Sequence, residues 1–283
     1  MPKRIIVIDS QRLNSVQLCA RRYDFEFNQD QLPRVKPDYF EKGDLMHRMC
    51  EMYYNMRRYS HNWAKNNYTH DNIVEICQRY GSMYSAKLEL DAADSAECVY
   101  QFGEYTKFYQ NDGWRPIAVE QAGALTLYED DELQIIIEFR IDLIVESDNG
   151  PVVVDHKYVS RRTDPTVLNN QFLLYLFATG TNNLILNRIG KQKTLKPVDR
   201  FQRPFFSVSK DLLVEWAENT IDWVGMLMHY EATSHWPANF TSCDKFGGCV
   251  FQAVCTTERA ARAWKLEQEF KRREMKWDVG AKL

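Results

Sequence analysis

Residues 152–160 read VVVDHKYVS, three valines running straight into an aspartate, a histidine and a lysine. An unbroken β-branched run suits the inside of a sheet, so the charges at its end need a reason. Side chains alternate along a strand, which puts Asp155 and Lys157 on one face and Val154 and His156 on the other. In the preceding segment LQIIIEFRIDLIV, residues 133–145, the same parity puts Glu138, Arg140 and Asp142 on one face and Ile137, Phe139, Ile141 and Leu143 on the other. Between them Ser147-Asp148-Asn149-Gly150-Pro151 reads as a turn. If it closes a hairpin, Asp142 and Asp155 stand side by side. Neighbouring carboxylates repel unless a cation lies between them, and hard oxygen ligands select Mg²⁺ or Mn²⁺. Lys157 beside a bound phosphate could then offset developing negative charge or orient an attacking water.

An acid two residues before a lysine is also a common chance pattern, and it recurs at Glu269-Phe270-Lys271 and Glu274-Met275-Lys276, read as solvated helix charges. What separates Asp155 and Lys157 is their place after a buried run, beside a second acid-bearing strand and ahead of a helix. The chain of 283 residues, 45% apolar and 13% aromatic, can fill a core. A net charge of −3 gives no global polyanion footprint, so nucleic-acid binding would rest on local patches. MPKRIIVIDS is too short in apolar residues for a secretory segment, and no stretch has the length of a membrane span, so a cytoplasmic protein is expected.

The pattern predicts one domain of mixed α/β class. Ser10 caps a helix through about Arg22. Residues 42–111 form a helical section broken near Tyr68–Asp71 and Leu90–Ser95. A sheet core with the candidate site fills residues 114–210, with a helix in TVLNNQFLLYLFATG, and a cysteine-bearing segment follows at 236–283.

Gly43-Asp44-Leu45-Met46-His47, Glu120, Asp142, Asp155-His156-Lys157, and Gln171 with Tyr175 together resemble the PD-(D/E)XK nucleases. Within them they resemble the RecB-like branch that includes the AddB C-terminal nuclease and the CRISPR-adaptation nucleases with four cysteines. The resemblance covers most of the chain. It implies a restriction-endonuclease-like core, a mixed sheet flanked by helices, carrying a helical insertion. It also implies His47, Asp142 and Asp155 as metal ligands, joined by the backbone carbonyl of His156, with Lys157 catalytic and Glu120, Gln171 and Tyr175 lining the site. Where the family often has glycine shortly before the second-strand aspartate, this chain has Phe139 and Arg140. Gln171 and Tyr175 are four apart and share a helix face, which also fits an ordinary amphipathic helix. Glu51, one turn after His47, leaves a two-residue zinc site as a further reading.

Seven cysteines are an odd count, which in a reducing compartment points to buried, reactive or metal-bound thiols. Cys243, Cys249 and Cys255 recur at C-x5-C-x5-C around Gly247-Gly248, and Cys19 lies far upstream. Four thiolates can hold a 4Fe-4S cluster that clips the N-terminal helix to the C-terminal tail, with zinc as the rival metal. Cys50, Cys77 and Cys98 read as small buried hydrophobes. Arg188, Lys191, Lys193, Lys196, Arg200, Arg203 and Lys210, with Arg161 and Arg162, form a basic strip that could track a phosphate backbone or simply solvate a hairpin. Tyr53, Tyr54, Tyr59 and Trp63 could stack on bases or belong to the helical core. The expectation is a Mg²⁺- or Mn²⁺-dependent DNA exonuclease acting on single strands or duplex ends, with recombination, repair or CRISPR-adaptation proteins as partners. A catalytically silent DNA-binding subunit and a zinc-stabilised interaction protein are the alternatives.

Overall fold

Ser147 and Gly150 pair across a tight turn in which the Ser147 hydroxyl donates to the Gly150 carbonyl at 2.7 Å. Gly150, at φ 98°, supplies the left-handed residue that brings the chain back. In the computed structural model, which describes residues 3–34, 39–59, 69–160 and 166–273, this turn joins strand β4 (Leu133–Ser147) to β5 (Gly150–Val159). The two strands are antiparallel, with Leu143 opposite Val154. That register brings Asp142 beside Asp155 one step further along, as the alternation required.

The chain divides into two compact units. One comprises Pro37–Ala122 and Arg140–Lys210. It holds helices α3 (Tyr39–Arg58), α4 (His70–Lys87) and α5 (Ala92–Phe108), the first part of β3 (Arg115–Glu129), the second part of β4, and all of β5. After β5 come α6 (Asn170–Thr179), β6 (Asn183–Gly190), the short helix α7 (Pro197–Arg200), β7 (Phe201–Gln202) and β8 (Phe205–Ser207). Strand β6 runs parallel to β5, with α6 in the connection between them, and pairs antiparallel with β7 and β8. The sheet is therefore mixed. Val152, Val153 and Val154 are buried at 4%, 0% and 0% exposure, each contributing about 2 kcal/mol of apolar burial.

The helical section expected at 42–111 is present, and its first helix starts earlier, at Tyr39, so that Gly43 lies inside it. Thr69 and Asn72 form a reciprocal capping box at the start of α4, and the Asp91 carboxylate caps α5. Leu45, Met46, Met49, Cys50, Tyr53 and Tyr54 of α3 pack with Cys77, Cys98, Phe102, Leu143 and Val154 in one apolar cluster. Cys50, Cys77 and Cys98 are each fully buried, and so are Tyr53 and Tyr54, which removes those two tyrosines from base stacking. Trp63 lies outside the described residues, and Tyr59 is exposed.

Within this apolar cluster sits a polar hub. The Arg203 guanidinium donates from Nη1 to Asp112 at 2.8 Å, from Nε to Asn187 Oδ1 at 3.1 Å, and from Nη2 to the Tyr105 and Tyr54 hydroxyls at 3.0 and 3.2 Å. Its two faces lie 3.4 Å from the Tyr109 ring centre and 3.5 Å from that of Trp114. Asp112 also accepts from Arg57 at 2.8 Å. Against the burial that would raise it, these two arginines hold Asp112 below the usual carboxylate range.

The other unit comprises Met1–Lys36, Gly123–Phe139 and Asp211–Leu283. Strand β1 (Arg4–Ile8) pairs parallel with the first part of β4. Helix α1 (Ser10–Leu18) is capped by Asp9, whose carboxylate accepts from Arg12 N–H at 2.8 Å, so Ser10 is the first helical residue rather than the cap. The helix breaks at Cys19, which is extended, before α2 (Ala20–Tyr23) and a π-helical turn at Asp24–Asn28. Strand β2 (Gln31–Pro33), the long helix α8 (Lys210–Thr233), the short α9 (Gln252–Thr256), α10 (Arg262–Glu269) and β9 (Phe270–Arg272) complete the unit, with β2 antiparallel to β9. Among the described residues no helix is long and apolar enough to cross a membrane.

Replacing Arg203 by alanine would strand two hydroxyls and the Asn187 amide in the core and leave Asp112 with Arg57 alone. It is expected to destabilise the protein by about 3–5 kcal/mol. Lysine keeps the charge but not the fork and is expected to recover less than half of that. Urea unfolding monitored by circular dichroism checks both, and an alanine variant within about 1 kcal/mol of wild type would refute the hub.

Candidate active site

Three elements of the α3-containing unit deliver ligand atoms to one place. His47 comes from α3, Glu120 from β3 and Asp142 from β4, and one ligand atom of each lies within 4.8 Å of the others. His47 Nδ1 is 3.4 Å from Asp142 Oδ2, and the same oxygen accepts the His156 backbone N–H at 2.8 Å. Glu120 reaches this group from a left-handed backbone, φ 47°, in the middle of a strand. Such a conformation costs a non-glycine residue of the order of 1 kcal/mol or more, and it persists only where the surroundings fix it.

Asp155 and Lys157 stand next to this group. Asp155 is completely buried, and Lys157 Nζ lies 3.0 Å from its Oδ1 and 2.9 Å from its Oδ2. Only the Oδ1 contact has hydrogen-bond geometry, so Oδ2 is a buried carboxylate oxygen without a hydrogen-bond partner. Nζ also donates to Gln171 Oε1 at 3.1 Å, and Gln171 Nε2 donates to the Tyr175 hydroxyl at 2.8 Å. The lysine fixes which end of the Gln171 amide faces it, and the helical i, i+4 spacing fixes Tyr175.

The charges are unbalanced. Burial, then Asp142 and Glu51, push Glu120 up to about 7. Burial and the neighbouring Asp142 also raise Asp155, against the pull of Lys157. Lys157 is held above its ordinary value because Asp155 and Asp142 outweigh the burial that works against its charge. Burial pushes the Tyr175 hydroxyl up as well, so it remains protonated. An imidazole and carboxylates converging on one point, with the buried Asp155 carboxylate beside them, fit a hard divalent cation.

Behind Asp155 and Lys157, the His156 ring is buried and stacks on Tyr54 with centroids 5.3 Å apart and planes at 12°. Its Nδ1 lies 2.7 Å from Asn187 Nδ2. Because Asn187 Oδ1 takes the Arg203 Nε–H, the amide presents its NH₂ to the ring, and Nδ1 is an unprotonated acceptor. Burial first and His47 second hold the imidazole well below its ordinary value, which agrees with a neutral ring. Sequence reasoning missed Asn187 and placed Arg203 in the basic strip rather than in the hub. The register signal was there, since Asn187 pairs with His156 across parallel strands.

The expected basic strip is not a surface feature as a whole. Arg188 is buried at 6% exposure on β6, which is flanked by β5 and by β7 and β8, so it is not the exposed phosphate contact expected of it. Arg200 is likewise buried, and Arg203 belongs to the hub. Lys191 lies with Nζ 4.5 Å from the Tyr158 ring centre, and Lys193 is exposed and pairs with Glu97 at 3.6 Å. Arg161 and Arg162 lie outside the described residues.

A family model for the PD-(D/E)XK nuclease superfamily matches residues 10–256. The chain belongs to that superfamily. Its mixed sheet with flanking helices is the restriction-endonuclease-like arrangement of this PD-(D/E)XK nuclease, which makes it a nuclease by family. No curated protein sequence matches it. Among solved structures, one described as "Crystal structure of SSO0001" is similar, with 16% identity over 76% of this chain and 75% of that one and a TM-score of 0.35.

The raised Glu120 carboxyl gives this PD-(D/E)XK nuclease a pH signature. Its folded value lies above the unfolded one, so its contribution to stability is full below about pH 4.5 and is lost as pH rises through about 7. In EDTA, wild type is expected to lose up to about 3 kcal/mol relative to Glu120→Gln between about pH 5 and 8. Saturating Mn²⁺ should restore wild type more at the higher pH than at the lower. Parallel urea curves for the two proteins across this range would show that Glu120 is not in the charged group.

Proposed function

We propose that the chain is a divalent-metal-dependent deoxyribonuclease that hydrolyses phosphodiester bonds in single-stranded DNA or at duplex ends. The observation that carries this reading is the meeting of His47, Glu120 and Asp142 beside a lysine clamped by Asp155 and Gln171. His47, Asp142, Asp155 and Glu120 would hold Mg²⁺ or Mn²⁺. Such an ion, when bound, polarises a phosphoryl oxygen and makes its water a better nucleophile at neutral pH. Lys157 remains protonated, so it serves as a charged donor to the reacting phosphate rather than as the base that takes the water's proton. Gln171 holds Nζ in place, and Tyr175 holds Gln171. Of the expected strip, half-buried Lys191 and exposed Lys193, Lys196 and Lys210 remain for backbone contacts outside the site.

The second proposed metal group lies in the other unit. Cys19, Cys243, Cys249 and Cys255 are all free and half-buried. The N- and C-terminal segments meet around them, with Asn239 N–H 3.4 Å from Cys19 Sγ and the Asn239 side chain donating to the Leu18 carbonyl at 3.0 Å. Gly247 and Gly248 take left-handed φ values of 86° and 104°, reversing the chain so that Cys249 N–H reaches the Cys243 carbonyl at 2.7 Å. Burial, followed by Cys255 and Cys19, raises the Cys243 thiol, which marks the sulfurs as neighbours. Among the described residues no three of these sulfurs lie within 4.8 Å of one another. Zinc, with four bonds of about 2.3 Å to thiolates, is the rival metal.

Digestion of end-labelled single- and double-stranded DNA with Mg²⁺, Mn²⁺ or EDTA tests the nuclease reading. Cleavage is expected with either metal and none with EDTA. Lys157→Ala is expected to lower the rate at least about a hundredfold while circular dichroism is unchanged, and full activity in that variant removes the assignment. Cys249→Ala, purified anaerobically, is expected to lose brown colour and iron content while active-site metal binding persists. Wild type that contains zinc and no iron decides for the rival metal.

A further inference from the structure

Strands β5 and β6 run parallel, and at their carboxyl ends lies a cavity of about 20 Å³ walled by Ser160, Arg188, Gly190, Gln192, Arg200 and Gln202. Ligands of open α/β sheets bind at such ends. Register ties the cavity to the candidate catalytic lysine. Lys157 lies opposite Arg188 and Arg188 opposite Gln202, so the three side chains leave the same face of the sheet. A Cβ at Gly190 would come within 2.9 Å of the Arg200 carbonyl oxygen and 3.1 Å of its Cγ, so a glycine is what lets the end of α7 lie against β6. Arg200 itself is poorly satisfied. Its side chain is 4% exposed, its Nε has no hydrogen-bond partner among the described residues, and its Nη2 reaches Glu104 at 3.5 Å, long for a charge-assisted bond. The Phe201 ring, 4.5 Å from its Cζ, holds the fork without using its donors. A guanidinium buried in this way is costly unless an anion joins it.

We propose that this cavity is an anion subsite of the nuclease site, taking the phosphate next to the one attacked, with Arg200 as its charged donor. The proposal rests on the metal-dependent nuclease reading above. Charge sets the sign of the ligand. Arg188 and Arg200 stand in the lining against one acid, Asp199, which leaves the cavity net positive. Size sets its kind, because about 20 Å³ is little more than one water needs and admits the oxygens of a phosphate but no base. Position sets which phosphate it is. Gln202 is two strands away from Lys157, of the order of 10 Å, so a phosphate held here is a neighbour of the one that Lys157 serves. Its non-bridging oxygens match a guanidinium fork. Such a contact fixes the register of the DNA strand over the metal group and reads no sequence.

The test uses the full chain with Mn²⁺ and two variants checked for folding by circular dichroism. Gln202→Glu adds a negative charge to the lining, and Arg200→Lys keeps the charge but loses the fork. The substrate is end-labelled single-stranded DNA in which one phosphate is replaced by a neutral methylphosphonate. Wild type is expected to stop at the methylphosphonate and, in addition, to cut one neighbouring bond about tenfold more slowly than in the unmodified strand. Gln202→Glu is expected to raise KM on the unmodified strand about tenfold and to lose this second pause, since its subsite no longer holds a phosphate. Arg200→Lys is expected to lie between the two. A wild type that cuts every bond beside the methylphosphonate at the unmodified rate overturns the proposal, and so does an unchanged KM in folded Gln202→Glu. Competition by inorganic phosphate without any second pause would make the cavity a site for a free anion and overturns it too. In each of these cases cleavage of unmodified DNA leaves the nuclease reading standing. If wild type cleaves no DNA with Mg²⁺ or Mn²⁺, that reading falls and takes this proposal with it.

Discussion

Asp142 and Asp155 lie on adjacent strands at 8% and 0% exposure, with Glu120 brought up to Asp142 from a third strand. Carboxylates placed this way lose hydration and repel one another at once, so they remain ionised only while cations stand beside them. Much of the surrounding structure can be read as an answer to that constraint. Lys157 leans back along its own strand onto Asp155, Gln171 and Tyr175 extend from α6 to hold its ammonium, and the His156 N–H closes on Asp142. These contacts offset part of the charge. The raised Glu120 and Asp155 show that a deficit remains, and a divalent ion is the group that would remove it.

The strand that carries Asp155 and Lys157 must also be held rigid against this repulsion. The hub does so from behind. Arg203 orients Asn187, Asn187 orients the His156 ring, and Tyr54 stacks on that ring, so the residue between Asp155 and Lys157 is fixed by polar contacts within a helical core. The choice of arginine matters, because a planar fork with aromatic rings on both faces fixes direction as well as charge. Support of this kind is what metal ligands and their neighbours require for small positional tolerances.

How much of this was legible in the sequence follows the range of each signal. The hairpin and the placing of Asp142 beside Asp155 depend on local alternation and on Ser147 to Gly150, and both could be read directly, whereas the parallel pairing of β5 with β6 had no local signal. The cap of α1 was misplaced by one residue because Asp9 and Ser10 are both good capping residues, and the choice depends on which backbone is extended. Glu120 was visible as an acid on a strand. Its entry among the ligand atoms depends on a left-handed backbone that no glycine announces. Arg188 was misread because a run of positive charge says nothing about which members sit on a strand covered on both edges. Asn187 and Arg203 are sixteen residues apart and become partners only through the sheet, so their contact lay beyond any local pattern.

The two proposed metal groups differ in the need they serve. Around His47, Glu120 and Asp142 a large apolar cluster and the polar hub of Arg203 already hold the backbone, so an ion there would offset charge and leave the architecture as it is. The other unit buries Ile8, Leu13, Ile135, Ile137, Trp216 and Val224 as well, and its cysteines stand beside two further described clusters. One joins Phe25, Phe251, Val254, Leu266 and Phe270, another joins Val16, Tyr23 and Leu227, and both tie the first segment of the chain to the last. Cys249 and Cys255 pack against the first of these. Closing two distant segments loses chain entropy, and four metal–thiolate bonds would add binding free energy directly to folding. A cross-link at the proposed cysteine site would therefore add to the hold between the first and last segments, whereas an ion at the proposed acidic site would act on charge alone.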